Sequence, residues 1–138
     1  MEDEIDKIKE IANNAHREHF YDKNITYDEF FINLNNKEKL AVAINNMNNK
    51  VTYDGWYDYY KTERRLNGND VEYNYLYGIL NGLKSNSDYP NIKKLVEILD
   101  NINKNYSIAS KEINKFNSAY YKIRYGFLRE INDFLSKI

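Results

Sequence analysis

The sequence contains no cysteine, one proline, five glycines and only two histidines in 138 residues. Without cysteine there is no disulfide framework, thiol nucleophile, iron–sulfur cluster or thiolate zinc site. The two imidazoles, His16 and His19, lie on one short segment. They leave no Ser/His/Asp arrangement and little from which to assemble acid–base chemistry. No glycine-rich phosphate loop is present, and no arginine is followed by histidine at the spacing of the helical ribonucleases. No apolar run approaches the roughly 20 residues that a membrane span requires. The first residues, Met1-Glu2-Asp3-Glu4, are acidic where a secretory leader carries positive charge. These absences point to a cytoplasmic, non-enzymatic chain that needs no cofactor and no metal.

What is present is an excess of tyrosine, 14 residues, within a hydrophobic share of 42%. The core must therefore use rings that carry a polar tip. Asn (22), Lys (15), Ile (15) and Tyr (14) far outnumber Gly, Ala and Pro together (12), the residue usage of AT-rich coding. The length suits one domain over residues 1–138, large enough to bury about two thirds of its unfolded surface. A net charge of −1 argues against both a uniformly basic nucleic-acid binder and an acidic DNA mimic. The charge is unevenly spread: residues 1–30 hold nine acids and four bases, and residues 101–138 hold three acids and seven bases. Complementary ends of this kind are suited to pack side by side.

Periodicity predicts helices throughout. Ile5, Ile8, Ala12, Ala15 and His19 alternate spacings of three and four, one apolar face of a helix over residues 2–21. Thr26 with Glu29 forms a capping box, and Ile25 with Phe30 the hydrophobic staple across it. Val51, Thr52 and Trp56 echo this device as a second helix start, closed by Asn67-Gly68-Asn69. Between the two starts, the apolar run 39–44 and Met47 predict a short helix entered from Asn35-Asn36 and left through Asn48-Asn49. Asp70 caps the next helix, whose core face is Leu76, Ile79, Leu80 and Leu83. Residues 85–89 read as a loop, with Pro90 at a first-turn position where its missing N–H costs nothing.

Beyond Pro90 the pattern becomes heptad. Ile92, Leu99, Tyr106, Ile113, Tyr120, Phe127 and Phe134 share one position, and Leu95, Ile102, Ala109, Phe116 and Ile123 the other, with a slip at Glu130. Either one helix of about 45 residues, about 70 Å long, or two helices joined near residues 105–110 fits this register. The reading is all-α: a single-domain bundle of five or six helices ending in a long C-terminal helix or a helical hairpin.

Two surfaces are candidates for function. Tyr53, Trp56, Tyr57, Tyr59, Tyr60, Tyr73, Tyr75 and Tyr77 cluster within 25 residues. Helical geometry turns Tyr53, Trp56, Tyr57 and Tyr60 to the core, so Tyr59, together with Tyr73, Tyr75 and Tyr77, forms the candidate recognition set. The second is a basic stripe. Lys104, Lys111, Lys115, Lys122 and Arg129 fall within about 40° opposite the heptad core, with Ser118 and Tyr125 alongside and no acid in the arc before Asp133. The series His16-x-x-His19-x-x-Asp22, with Glu18 nearby, places potential ligands on successive turns. It lacks the two-His, Glu-assisted spacing of a zincin helix, and His19 reads as a core-edge histidine.

Surplus aromatics without a catalytic constellation favour a protein-binding module. A nucleic-acid-binding module acting through the basic stripe is the alternative, and the C-terminal heptads offer a seam for a homodimer. In general style the chain resembles the small helical proteins of phages and mobile elements in low-GC bacteria. That resemblance implies an inhibitor or adaptor acting on a host defence or regulatory protein.

Overall fold

The computed structural model describes residues 3–52, 70–103 and 110–138, and the side chains of residues 3–49, 70–101 and 117–138. Among them every regular element is helical: α1 (Asp6–His19), α2 (Tyr27–Ile32), α3 (Asn36–Thr52), α4 (Val71–Leu83), α5 (Pro90–Asn103) and α6 (Ser110–Ser136). Among the described residues no helix is long and apolar enough to cross a membrane.

Ile5, Ile8, Ala12 and Ala15 are buried as their spacing predicts. His19 is not, because α1 ends there. The chain closes the last turn with the Phe20 N–H on the His16 carbonyl, and the apolar stripe continues into Phe20, whose ring meets Phe30 edge-on at 5.0 Å. The chain then reverses through Asp22, at φ 63, a left-handed conformation that Asp tolerates better than most residues. Thr26 caps α2 as expected: its Oγ1 accepts from the Glu29 N–H at 3.1 Å, and Phe30 and Phe31 are delivered into the core.

The next helix is longer than its sequence suggests. Asn35 and Glu38 form a reciprocal capping box at 2.8 and 3.1 Å. From there α3 runs through Asn48-Asn49, the expected exit, as far as Thr52, the residue expected to start a helix and the last one described before residue 70. The reason is tertiary. Asn48 is buried, and its Oδ1 accepts from Tyr120 Oη at 3.2 Å and Arg124 Nε at 2.9 Å, offsetting a weak helix propensity. Trp56 and the remainder of that predicted helix, with its closure at Asn67-Gly68-Asn69, lie outside the described residues.

Asp70 caps α4 through the Tyr73 N–H at 2.8 Å, and Leu76 and Leu80 are buried with Ile79 and Leu83 at the core margin. Past the loop at 84–89, α5 and α6 pack against each other as an antiparallel pair, the two-helix alternative of the heptad reading. Their pairing is held by a carboxylate that breaks the heptad register. Pro90 has no N–H, and the next two, of Asn91 and Ile92, both point at Glu130 of α6, with N···O distances of 3.0–3.1 Å and 3.0 Å. The Asn91 side chain donates to the same carboxylate. Gly126 permits this approach, since a Cβ there would lie 2.6 Å from Asn91 Nδ2. The remaining contacts link α1 to α3, α3 to α4 and α6, and α4 to α2 and α5, so the described helices share one hydrophobic cluster.

Candidate interaction face

Helix α6 lays Tyr120, Phe127, Leu128, Ile131 and Leu135 into the core. The opposite arc, at 100° per residue, carries Ser118, Lys122, Tyr125 and Arg129, all exposed. Tyr121, on the edge of that arc, is 54% exposed and Tyr125 44%. Lys111 and Lys115 occupy register positions on the same arc one to two turns earlier in α6, and Lys104 lies outside the described residues.

Among the described residues, no acid of the N-terminal segment lies on Lys122 or Arg129. Its described acids meet α6 beside the arc, on the tyrosine edge: Asp3 lies 3.8 Å from Arg124 Nη2, and Asn132, about 20° from Tyr125 on the helical wheel, donates through Nδ2 to the Glu4 carbonyl at 2.7 Å and to its carboxylate at 3.2 Å. Neither Lys122 nor Arg129 has an acidic partner among the described residues. The one acid at the end of the arc, Asp133, is already engaged. It accepts from Lys137 Nζ at 2.9 Å and from Tyr89 Oη at 2.7 Å, and these bonds hold its carboxyl below the usual range. The face is thus a strip of positive charge with two tyrosine rings on one side.

The tyrosines singled out from the sequence have other occupations. Tyr73 is 4% exposed and stacks on Tyr77 with centroids 6.3 Å apart. Tyr77 donates its hydroxyl to Asp100, and that bond, followed by burial, pushes its pKa up. Tyr75 packs edge-on against Phe31, lies under Lys39 Nζ at 5.5 Å, and donates to the Asn36 carbonyl at 3.1 Å. Tyr75 and Tyr77 tie α4 to its neighbours while staying half-buried, and Tyr73 is buried. Tyr59 lies outside the described residues.

The histidine series also separates. His16 turns inward, its ring 4.8 Å from that of Phe30, and burial lowers its pKa. His19 instead meets Glu38, from the start of α3, at 3.3 Å and Glu18 at 3.7 Å. Two further groups escaped the sequence reading. Tyr121 sits only 40° from Tyr125 on the helical wheel and could have been included by geometry alone. Glu72 could not: it is a buried carboxylate in the first turn of α4, accepting from Tyr27 Oη at 2.6 Å and Asn46 Nδ2 at 2.7 Å. No family model, curated protein or solved structure matches the chain.

Proposed function

We propose that this chain is a non-enzymatic binding module that docks an acidic protein surface on the outer face of α6, in the manner of an inhibitor or adaptor. The observation that carries this reading is the open strip of Lys122, Tyr125 and Arg129, flanked by Tyr121 on a 27-residue helix. Tyrosine and arginine are the residue types over-represented at interface hot spots, because each combines a broad contact area with a polar handle. Unpaired cations beside them attract and orient an acidic partner. Against catalysis stands the placement of the imidazoles: among the described residues neither has a hydroxyl partner that it could activate.

A nucleic acid is the poorer occupant. From Lys111 to Arg129 the arc extends about 27 Å, long enough to track phosphates, but the flank beside Asn132 carries Asp3 and Glu4. A polyanion following the whole strip would meet those carboxylates, whereas a compact acidic epitope need not.

The test titrates the labelled chain with a Glu-rich helical peptide and, separately, with a 20-base-pair duplex. The expected result is peptide binding that perturbs amides over 121–129 and weakens at least tenfold in the Lys122→Glu/Arg129→Glu double variant. Peptide binding that ignores the double variant would overturn the assignment of the face. Duplex binding with a salt slope near −4.5, about 0.9 for each of five phosphate contacts, would replace it with the nucleic-acid reading.

A further inference from the structure

The carboxyl end of α1 and the amino end of α3 bring Glu18, His19 and Glu38 together, with one ligand atom from each lying within 4.8 Å of the others. We propose that these three side chains form a binding site for a divalent transition-metal cation of the zinc type, joining α1 to α3. This site is independent of the α6 face.

Its spacing fits a metal site as well as it fits an ion pair. Charge-assisted N–H···O bonds close to about 2.7–2.9 Å, but His19 Nε2 stands 3.3 Å from Glu38 Oε2 and 3.7 Å from Glu18 Oε2. Two ligands at about 2.0–2.1 Å from a tetrahedral zinc ion are about 3.3–3.4 Å apart. The His19–Glu38 pair therefore already spans one edge of such a tetrahedron, and Glu18, whose side chain is 70% exposed and free to swing inward, would complete a face. The fourth position is open to water.

The ligands are also placed by the fold. The Glu38 carboxylate is divided between two tasks: Oε1 accepts from the Asn35 N–H at 3.1 Å in the capping box, leaving Oε2 aimed at the imidazole. Its side chain is only 17% exposed, so it enters the site already ordered. Glu18 and His19 occupy the last turn of α1, where the helix carbonyls favour positive charge. One imidazole with two carboxylates suits a borderline cation such as Zn²⁺. Calcium, which takes six to eight oxygen ligands, is poorly served. The sequence-level series could not reveal this site, since His16 and Asp22 take no part and the third ligand comes from another helix.

The experiment adds Zn²⁺ alone to the full chain after chelator treatment and follows thermal unfolding, calorimetric stoichiometry and the imidazole nitrogen resonances. The expected result is a melting temperature that rises with Zn²⁺, one ion per chain, and a shift of the His19 Nε2 resonance with His16 unchanged. His19→Ala and Glu38→Gln should each weaken binding at least about tenfold. Glu38→Gln is informative because glutamine preserves the capping box, so its loss of binding is not a loss of fold. Absence of binding at 100-fold excess Zn²⁺, a shift at His16 instead, or unchanged affinity in Glu38→Gln would each overturn the proposal.

Discussion

Glu130 shows how one polar residue can interrupt an apolar register and strengthen the fold. It caps a neighbouring helix from outside, supplying the acceptor that Pro90 and Tyr89 do not, to the N–H groups of Asn91 and Ile92. Ile92 is fully buried, so without Glu130 its N–H has no water to turn to. Glu130→Ala is expected to cost about 2–3 kcal/mol in urea unfolding, near the value of a lost charge-assisted bond plus an orphaned donor. Gly126→Ala should cost about 1 kcal/mol, because the new Cβ displaces the end of Asn91 from Glu130. In an Asn91→Ala background that penalty should largely vanish, and a double-mutant cycle measures it. His16 gives a pH signature. Burial against Phe30 lowers its folded pKa below 6.5, so the unfolded chain takes up a proton that the folded chain refuses. Stability is therefore retained above pH 6.5 and lost as pH falls from 6.5 toward the folded value. Urea midpoints between pH 7.5 and 5.5 should show this decline, and His16→Gln should flatten it.

Among the elements, those that begin with local chemistry were legible. Thr26, Asp70 and Pro90 each mark a helix start through bonds to residues at most three positions away, or through a ring that removes a donor. The extent of α3 was not legible, because what sustains it is remote: Tyr120 and Arg124 reach Asn48 across 72 and 76 residues. Two asparagines that read as a stop signal locally become a buried hydrogen-bonding post once α6 is in place. Heptad phase left the choice between one helix and two open for a related reason, since an antiparallel hairpin of two helices can preserve the same seam that a single rod would show. The proposed face was half legible: Lys122, Tyr125 and Arg129 followed from the wheel, whereas the contacts that Tyr73, Tyr75 and Tyr77 make in packing are specified only by the tertiary fold. Asn48→Ala should destabilise by about 1–3 kcal/mol, as it strips an acceptor shared by two donors. Tyr120→Phe, which removes one donor and leaves the ring, should cost less. Chemical denaturation of both variants checks the order, and a larger loss in Tyr120→Phe would show that Asn48 is not the post around which α3 and α6 meet.

At the scale of the molecule the question is what remains for association once the core is complete. Among the described heptad residues that could have zipped two copies together, Ile92, Leu95, Leu99, Tyr120 and Phe127 are fully buried within one chain, and Ile123 and Phe134 pack partly against the same core. Among the described residues the large apolar side chains left exposed are Tyr21, Ile32, Tyr121, Tyr125 and Ile138, and of these Tyr121 and Tyr125 are neighbours on one helix face. A two-fold dimer through that face would be isologous, setting each copy of the strip against its own image. Lys122 and Arg129 would then meet like charge, with no acid in the arc except Asp133, already bonded to Lys137 and Tyr89. Self-association through this surface is electrostatically opposed, while an acidic partner relieves the same charge. Sedimentation equilibrium is accordingly expected to return the 16.6 kDa monomer mass across a hundredfold range of concentration at 0.05 M salt. High salt provides the sharper arm of the test, since screening at 1 M shortens the reach of surface charge to about 3 Å and removes most of the opposition. A monomer at both salts would show that the tyrosine pair alone is too small to hold two copies. A dimer at low salt that survives Lys122→Glu/Arg129→Glu would contradict the electrostatic argument and move the self-contact to another surface.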